Sequence, residues 1–397
     1  MIPMTNQSRA ETRRAQRAAL FTYGFRPFFL FGALWAALAI LLWLPQAFGE
    51  WSFATVFTPV DWHVHEMLYG YLGAVIAGFL LTAVPNWTGR LPLAGAPLVA
   101  LVLVWAAGRA AVFASGWLGA AGTAVVDVAF AVLLAAAIAR EIVAGRNWRN
   151  LKVLLPLVLF IAGNVAFHVE VAASGRAAFG IRIGFAAVVL LVVLIGGRIV
   201  PSFTRNWLAR RPPGRMPAPF DRFDAVVVTV TALALLGWIM WPEARAVGVA
   251  LAIAGLAQAA RLLRWAGERT AAEPLVLILH LAYAFVPLGF LLIAATALGL
   301  GVPASAGLHA FGVGAFGTMT LAVMSRSSLG HTGRALHAGP ATVAIYAFVL
   351  VAAAARIAAA LAPASSAVLL HIAAFAWIAA FAGFALAYGP QLVRPRR

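Results

Sequence analysis

The chain has 397 residues, of which 63% are hydrophobic and only 10% are charged, and it contains no cysteine. Soluble globular proteins are about half apolar and about a quarter charged, so this composition excludes that class and predicts a polytopic membrane protein. The absence of cysteine excludes disulfides, iron–sulfur clusters, thiolate zinc sites and cysteine nucleophiles. In a membrane chain, basic residues collect in cytoplasmic loops, so the net charge of +17 indicates topology rather than a nucleic-acid partner.

Twelve apolar runs, each long enough to cross about 30 Å of hydrocarbon as a helix, follow one another along the chain. The predicted fold is therefore all-α, with one integral membrane domain over 1–397. No cleaved signal peptide is expected, because a polar, arginine-containing segment precedes the first apolar run near Pro27. The predicted spans are 27–44, 66–84, 97–114, 118–139, 152–171, 180–200, 224–241, 246–260, 274–298, 306–324, 341–361 and 366–388.

Basic residues alternate between the loops that join these spans. Seven basic segments alternate with six segments that carry almost no lysine or arginine, and only Arg176 and Arg245 interrupt the pattern. Basic loops mark the cytoplasmic side, so the alternation predicts an even number of spans with both termini in the cytoplasm. The basic segments are the N-terminus, Arg90, 140–152, 205–222, 261–269, 326–334 and the C-terminal tail.

The second, sixth and tenth spans end on similar motifs. These are Pro85-Asn86-Trp87 with Arg90, Pro201-Ser202-Phe203-Thr204-Arg205-Asn206, and Met324-Ser325-Arg326 followed by His331. Each ending lies four helices after the previous one. The spacing indicates three four-helix repeats in one orientation, over about 1–150, 151–273 and 274–397. Many transporters use inverted or two-fold repeats instead, so the pattern mildly disfavours a transporter.

Five of the eight histidines are predicted at the outer membrane face. They are His63, His65, His168, His309 and His371. Without thiolates, imidazole is the remaining ligand for haem iron, copper or zinc. A single intramembrane histidine is often only a hydrogen-bonded packing residue, but ionisable residues within a membrane usually mark function. We therefore predict metal ligation by this group.

The spacing of His63 and His65 favours two metal sites over one. Residues two apart on a continuous helix point about 200° apart, so these rings converge only if the helix begins between them. Glu66 and Met67 are expected on the face of His63, and Tyr69 on the face of His65. Tyr69 and Glu66 are the catalytic candidates, since a tyrosine near a bound metal can supply a proton or an electron. The alternative for Tyr69 is a place in the interfacial aromatic belt.

Other polar residues in the spans fall into two groups. Arg109 and Asp127 lie at similar depth on the third and fourth spans and are expected to form a structural ion pair, with proton conduction as the alternative. Arginines, aromatic residues and amides gather at the cytoplasmic face, where they suit haem propionates or a quinol head group. These cofactor-binding candidates are Arg26, Asn86, Trp87, Arg198, Arg326 and His331, with Asn206 beside them.

Several motifs together resemble the NnrS family over nearly the whole chain. They are Gly24-Phe25-Arg26-Pro27-Phe28-Phe29-Leu30, Trp62-His63-Val64-His65-Glu66-Met67, the endings at Pro85 and Pro201, and the segment 309–334. The resemblance implies twelve-helix bacterial inner-membrane proteins that contain haem, which we expect to be b-type, and copper. It also implies roles in nitric oxide metabolism, denitrification and resistance to nitrosative stress. In this chain it makes His63, His65, His168 and His309 the metal-ligand candidates.

The leading hypothesis is a redox enzyme that reduces nitric oxide near the periplasmic side, with quinol as a plausible electron donor. Two metals held close together would bring two nitric oxide molecules together for N–N bond formation. The alternatives are a membrane transporter or metal- or haem-handling protein, and a non-catalytic nitric oxide binder.

Overall fold

The computed structural model describes residues 19–395, and helices are the only regular elements in that range. Twelve of them are long and apolar enough to cross a membrane, which confirms the predicted number. The basic residues Arg9, Arg13, Arg14 and Arg17, and the tail residues Arg396 and Arg397, lie outside the described residues. The helices are α1 Phe25–Ala47, α2 Pro59–Thr88, α3 Ala96–Phe113, α4 Ser115–Ala144, α5 Trp148–Ser174, α6 Phe179–Leu208, α7 Arg222–Met240, α8 Arg245–Leu263, α9 Pro274–Ala297, α10 Ala304–His331, α11 Pro340–Leu361 and α12 Pro363–Val393.

The outward faces of the peripheral helices are apolar. Leu103 on α3, Val125 on α4 and Leu233 on α7 are each more than 60% exposed, as are Leu256 on α8 and Val368 on α12. A soluble protein does not present so many large aliphatic side chains to water, whereas lipid chains are their natural solvent. This surface supports the assignment of the chain as a multi-pass membrane protein.

Three helices, α2, α6 and α10, form the centre of the bundle. In the most apolar 18-residue stretch of each of these helices, 78%, 67% and 67% of the residues are buried. The corresponding fraction is 33–44% for α3, α4, α5, α7, α8, α11 and α12. The bundle closes on itself because α12 packs along α1, where the Trp377 indole donates to the Ala36 carbonyl at 2.9 Å. The central helices are therefore the ones whose side chains can meet away from lipid.

Each central helix contains a π-helical segment, at Glu66–Tyr71, Val192–Gly196 and Ala310–Gly317. Such segments are rare and often occur at functional sites, and they disturb the regular backbone hydrogen bonding of a helix. Side chains from neighbouring helices meet two of these segments: Trp105 donates to the Gly70 carbonyl and Arg261 to the Val193 carbonyl. The three segments recur four helices apart, which is the spacing of the predicted repeats.

Candidate functional site

The first turns of α2 place His63 and His65. Thr58 caps this helix, because its hydroxyl accepts from the Asp61 amide at 3.1 Å, and Pro59 occupies the first turn. The α-helix runs without a break from Pro59 to His65, so both histidines lie on one helix. They face different neighbours, as the two-site prediction requires, and each takes part in a separate cluster.

His65 lies in a fully buried polar cluster formed with α4 and α5. Its Nε2 is 3.1 Å from Asp127 Oδ2 and 3.1 Å from Asn164 Oδ1, and its Nδ1 is 3.0 Å from Glu66 Oε1. His168 Nε2 lies 3.0 Å from the same Asp127 oxygen. One ligand atom from each of His65, Asp127 and His168 lies within 4.8 Å of the others, so the three could hold a metal ion.

Arg109 joins the two carboxylates of this cluster. Its guanidinium donates to Glu66 Oε1 at 2.7 Å and to Asp127 Oδ1. The predicted Arg109–Asp127 ion pair is thus confirmed, with Glu66 as a second partner. Two carboxylates and one guanidinium leave one formal negative charge when both histidines are neutral. A proton on a histidine or a bound metal cation would neutralise it, as a buried charge requires.

Two further side chains fix the edges of this cluster. The Trp35 indole donates to Glu66 Oε2 at 2.6 Å, and the Tyr69 hydroxyl donates to the Gly180 carbonyl at 2.8 Å. The Tyr69 ring centroid is 5.5 Å from that of His65, so these two residues share a face as expected. Tyr69 is 2% exposed and lies within the helix bundle, not in an interfacial belt.

The expected grouping of Glu66 with His63 is wrong. The Glu66 carboxylate contacts His65, Trp35 and Arg109, while Met67 lines the cavity beside His63. The π-helical segment begins at Glu66. The expected i+3 pair of His63 with Glu66 fails there, whereas the expected i+4 pairs hold for Met67 with His63 and for Tyr69 with His65.

His63 belongs to a second cluster, with His309 of α10. Their ring centroids are 6.5 Å apart and their planes differ by 17°, and Trp43 stacks on His63 at 4.1 Å. His309 Nδ1 lies 2.5 Å from the Ser305 carbonyl, and His63 Nδ1 is buried without a hydrogen-bond partner. A histidine whose Nδ1–H is held by a carbonyl keeps Nε2 as its free ligand atom, as in many metal sites.

An apolar cavity of about 100 Å³ adjoins this histidine pair. Phe185 of α6, Phe316 of α10 and Trp377 of α12 form part of its wall, and a second cavity of about 90 Å³ lies between α2, α6 and α10. Leu72 and Phe316 line both cavities. Space with such walls suits small uncharged molecules better than ions.

His371 lies apart from both clusters. Its ring packs against Phe48 at 4.7 Å, its Nδ1 is 2.8 Å from the Ala367 carbonyl, and it lines an apolar surface groove on α11 and α12. The structure therefore brings together His65 with His168, and His63 with His309, and leaves out the fifth predicted ligand.

The cofactor-binding candidates that were predicted at the cytoplasmic face do not form one cluster; they contact several different parts of the structure. Arg26 donates to the Leu392 and Arg394 carbonyls at 2.8 and 2.6 Å, and the His331 ring lies 5.3 Å from that of Phe25. These contacts join α1 to the ends of α10 and α12.

The remaining candidates of this group lie elsewhere on that face. Arg326 stacks over the Phe203 ring at 4.0 Å, and the Trp87 carbonyl accepts from Asn147. The Asn86 amide donates to Thr82 of its own helix, and Arg198 is exposed. Such separate contacts account for most of these residues without a cofactor.

Two site residues escaped the sequence analysis. Asn164 donates to Asp127 at 2.7 Å, and its position four residues before His168 on one helix face was an available indication. Arg356 of α11 lines a cavity with His63 and His309. In the sequence it is a single arginine inside an apolar span, and a hydropathy scan accepts one such residue without marking it as a site.

A family model described as NnrS protein matches residues 19–396. The chain belongs to the NnrS family. That family is linked to nitric oxide metabolism and is metal-associated in general. No curated protein matches the chain. In this NnrS chain, the two histidine clusters contain the side chains best suited to bind a metal ion.

The donor sets fit metal ions better than a macrocycle. Imidazole together with carboxylate suits Cu(II), and at the His65 cluster an ion would replace the hydrogen bonds that join both histidines to Asp127. A haem beside His63 and His309 does not fit the cavity of about 100 Å³, since sites for molecules of that size are roughly 300–1,000 Å³. Haem binding there requires the aromatic walls to move apart.

Proposed function

We propose that this protein is a metal-containing redox enzyme that reduces nitric oxide within the membrane. The observation that carries the proposal is that His63 and His65, two residues apart, belong to two separate histidine clusters. An isolated structural histidine needs only one hydrogen-bond partner. Two clusters with four histidines, three of them on the central helices α2 and α10 and one on α5, supply the donor atoms for two metal sites close to one another.

In this proposal copper binds at His65, Asp127 and His168, and a second redox metal binds at His63 and His309. Copper supplies one-electron redox chemistry when bound. The family resemblance implies a haem, expected to be b-type, as the second group, and its binding would require the aromatic walls of that cavity to move apart. The protein's own residues determine what reaches these sites.

The apolar cavities support an uncharged gas as the substrate. Nitric oxide partitions into the bilayer, and the aromatic walls at Phe185 and Phe316 favour an uncharged ligand in the larger cavity. Reduction of two nitric oxide molecules to nitrous oxide and water consumes two electrons and two protons. Quinol, which releases both, is the proposed donor, and the residues around Arg26 and His331 are its proposed contact.

The buried cluster beside the cavity can hold the required protons. His65 and His168 share one Asp127 oxygen, and Glu66 contacts His65, so a proton has several adjacent acceptors there. Tyr69 lies against His65 and is the proposed proton or electron donor nearest this cluster. The alternation of basic loops further supports placement in the bacterial inner membrane with both termini in the cytoplasm.

The test is nitric oxide consumption by detergent-purified protein supplied with a quinol, together with an optical spectrum and metal analysis. The proposal predicts bound redox metal and steady consumption with nitrous oxide as product. Tyr69→Phe should slow consumption while leaving metal content unchanged. Stoichiometric binding without consumption would indicate a nitric oxide binder instead. A folded, metal-free protein that transports a substrate in proteoliposomes would indicate a transporter.

A further inference from the structure

Arg109, Arg261 and Arg356 lie within membrane-spanning helices, and they differ in their partners. Arg109 pairs with Glu66 and Asp127, and Arg261 pairs with Asp224 at 2.7 Å. Within residues 19–395, no carboxylate forms an ion pair with Arg356 of α11 and no side chain or carbonyl accepts a hydrogen bond from it. Arg356 is half-buried, and a guanidinium within a membrane span is costly without an anion, so an anionic ligand would stabilise this position.

Arg356 lines a small cavity with the His63–His309 pair. Trp43 and Trp377 form part of its wall, and its volume is about 40 Å³. One water needs roughly 10–15 Å³, so this small space favours a small ligand. Lipid phosphate groups and cofactor rings are larger than this.

A second polar group in the same cavity lacks a partner. His63 Nδ1 is buried and makes no hydrogen bond, although the ring is fixed by stacking on Trp43. A neutral imidazole can donate one hydrogen bond from this atom while its other nitrogen remains available as a ligand. The apolar wall formed by Ile40, Val313 and Ala352 lowers the local dielectric and strengthens attraction to the Arg356 charge.

We propose that Arg356 and His63 bind a small planar oxoanion of the nitrite class beside the histidine pair. The guanidinium presents two parallel N–H donors, which match two oxygens of such an anion, and a spherical halide cannot use both as well. The small volume of the cavity favours a free anion of a few atoms over a larger one. The proposal goes beyond nitric oxide reduction, and it stands or falls on equilibrium binding without any electron donor.

The experiment is calorimetric titration of sodium nitrite into the purified, metal-loaded protein in a phosphate-free maltoside detergent. The wild type is expected to show one saturable site. Arg356→Gln should weaken binding about 10- to 100-fold, the usual loss of a charge-assisted hydrogen bond, and Arg356→Lys should restore part of it. The control is Arg245→Gln, which removes an exposed arginine at the start of α8 and should leave the affinity unchanged.

Metal content is measured in every sample, because nitrite can also bind to a metal. Equal affinity in wild type and Arg356→Gln at equal metal content would overturn the proposal, as would the absence of saturable binding. Chloride that competes as well as nitrite would overturn the oxoanion assignment. Loss of nitrite binding in nanodiscs of anionic lipid would show that a lipid phosphate occupies Arg356 and would also contradict it.

Discussion

At the scale of single residues, the buried charges of α2, α3 and α4 form one cluster around Asp127. Glu66, Arg109 and Asp127 satisfy one another at a depth where water cannot, and His65, Asn164 and His168 occupy the remaining lone pairs of Asp127. Removing one member of such a group leaves its partners charged and unpaired. The resulting loss of unfolding free energy is larger than the net amount by which the intact ion pair stabilises the protein.

Asp127→Ala should therefore lower the free energy of unfolding in mixed micelles by about 3–5 kcal/mol. The matched control is Glu141→Ala, because Glu141 pairs with Arg90 and Arg140 whose side chains are 45% and 68% exposed. That substitution should cost less than about 1 kcal/mol. Equal losses for the two variants, measured by denaturant titration, would show that the buried cluster contributes no special stability.

Residue identities predicted part of this cluster. The Arg109–Asp127 pair followed from matching depth on consecutive helices, and the histidines from their common membrane face. The link from His65 to His168 depends on how α2, α4 and α5 pack together, which no local spacing contains. The grouping of Glu66 with His63 failed because the Glu66 carboxylate is held instead by His65, Trp35 and Arg109.

At the scale of single helices, close packing around the π-helical segments uses glycine. A Cβ on Gly197 would lie 2.3 Å from Arg261 Nη2, whereas a Cβ on the adjacent Gly196 would lie 3.4 Å from Tyr283. The Arg261 guanidinium cannot move aside freely, because it is held by Asp224, Val193 and Tyr283. Both glycines have negative φ values, so alanine fits either backbone conformation.

Gly197→Ala should destabilise the protein by about 1–3 kcal/mol through overpacking against Arg261. Gly196→Ala is the control and should be neutral or slightly stabilising, since alanine favours helix more than glycine does. The comparison uses thermal unfolding of both variants in the same detergent. A destabilisation of similar size in both would place the cost in the π-helical backbone rather than in the arginine contact.

The start of α7 carries a pH-dependent contact outside the membrane spans. Asp221 is the N-cap of this helix, and its hydrogen bonds with Arg264 hold the pKa of its carboxyl well below the usual value of 3.8. A lowered folded-state pKa stabilises the protein above the unfolded value, and this contribution disappears as the pH falls toward the folded value. Asp221→Asn should thus be less stable than wild type at pH 7.

The stability difference between these two proteins should shrink once the pH falls below about 4. Asparagine remains a good N-cap, so the comparison isolates the charge from the capping hydrogen bond. Thermal unfolding across pH 7 to 3 measures it. A difference that stays constant over this range would mean that the Arg264 contact does not lower the pKa of Asp221.

For the whole molecule, hydropathy correctly predicted twelve spans, but some of the predicted helix ends were several residues off. The second span was predicted at 66–84, whereas α2 runs over Pro59–Thr88. Its first turns carry Asp61, His63 and His65, and a hydropathy scan discards polar turns even when they face the bundle interior. The same effect shortened α10, which extends to His331. The polar candidate site residues are thus the ones that a scan for apolar runs is least able to place.

The predicted three-fold repeat also concerns the whole molecule. The similar helix endings led to the prediction of three repeats, and π-helical segments recur in α2, α6 and α10, the most buried helices. The histidines do not follow that symmetry. Of the clustered histidines, α2 carries two, α10 one and α5 one, while α6 contributes no histidine and part of the apolar wall at Phe185.

The most direct test of two separate metal sites is metal analysis of single histidine variants of the purified protein. His63→Ala and His309→Ala should lose one metal, and His65→Ala and His168→Ala should lose the other. His337→Ala, which removes an exposed histidine paired with Glu273, should lose neither. Loss of the same metal from all four variants would contradict two separate sites, and full metal content in all four would contradict metal binding by these histidines.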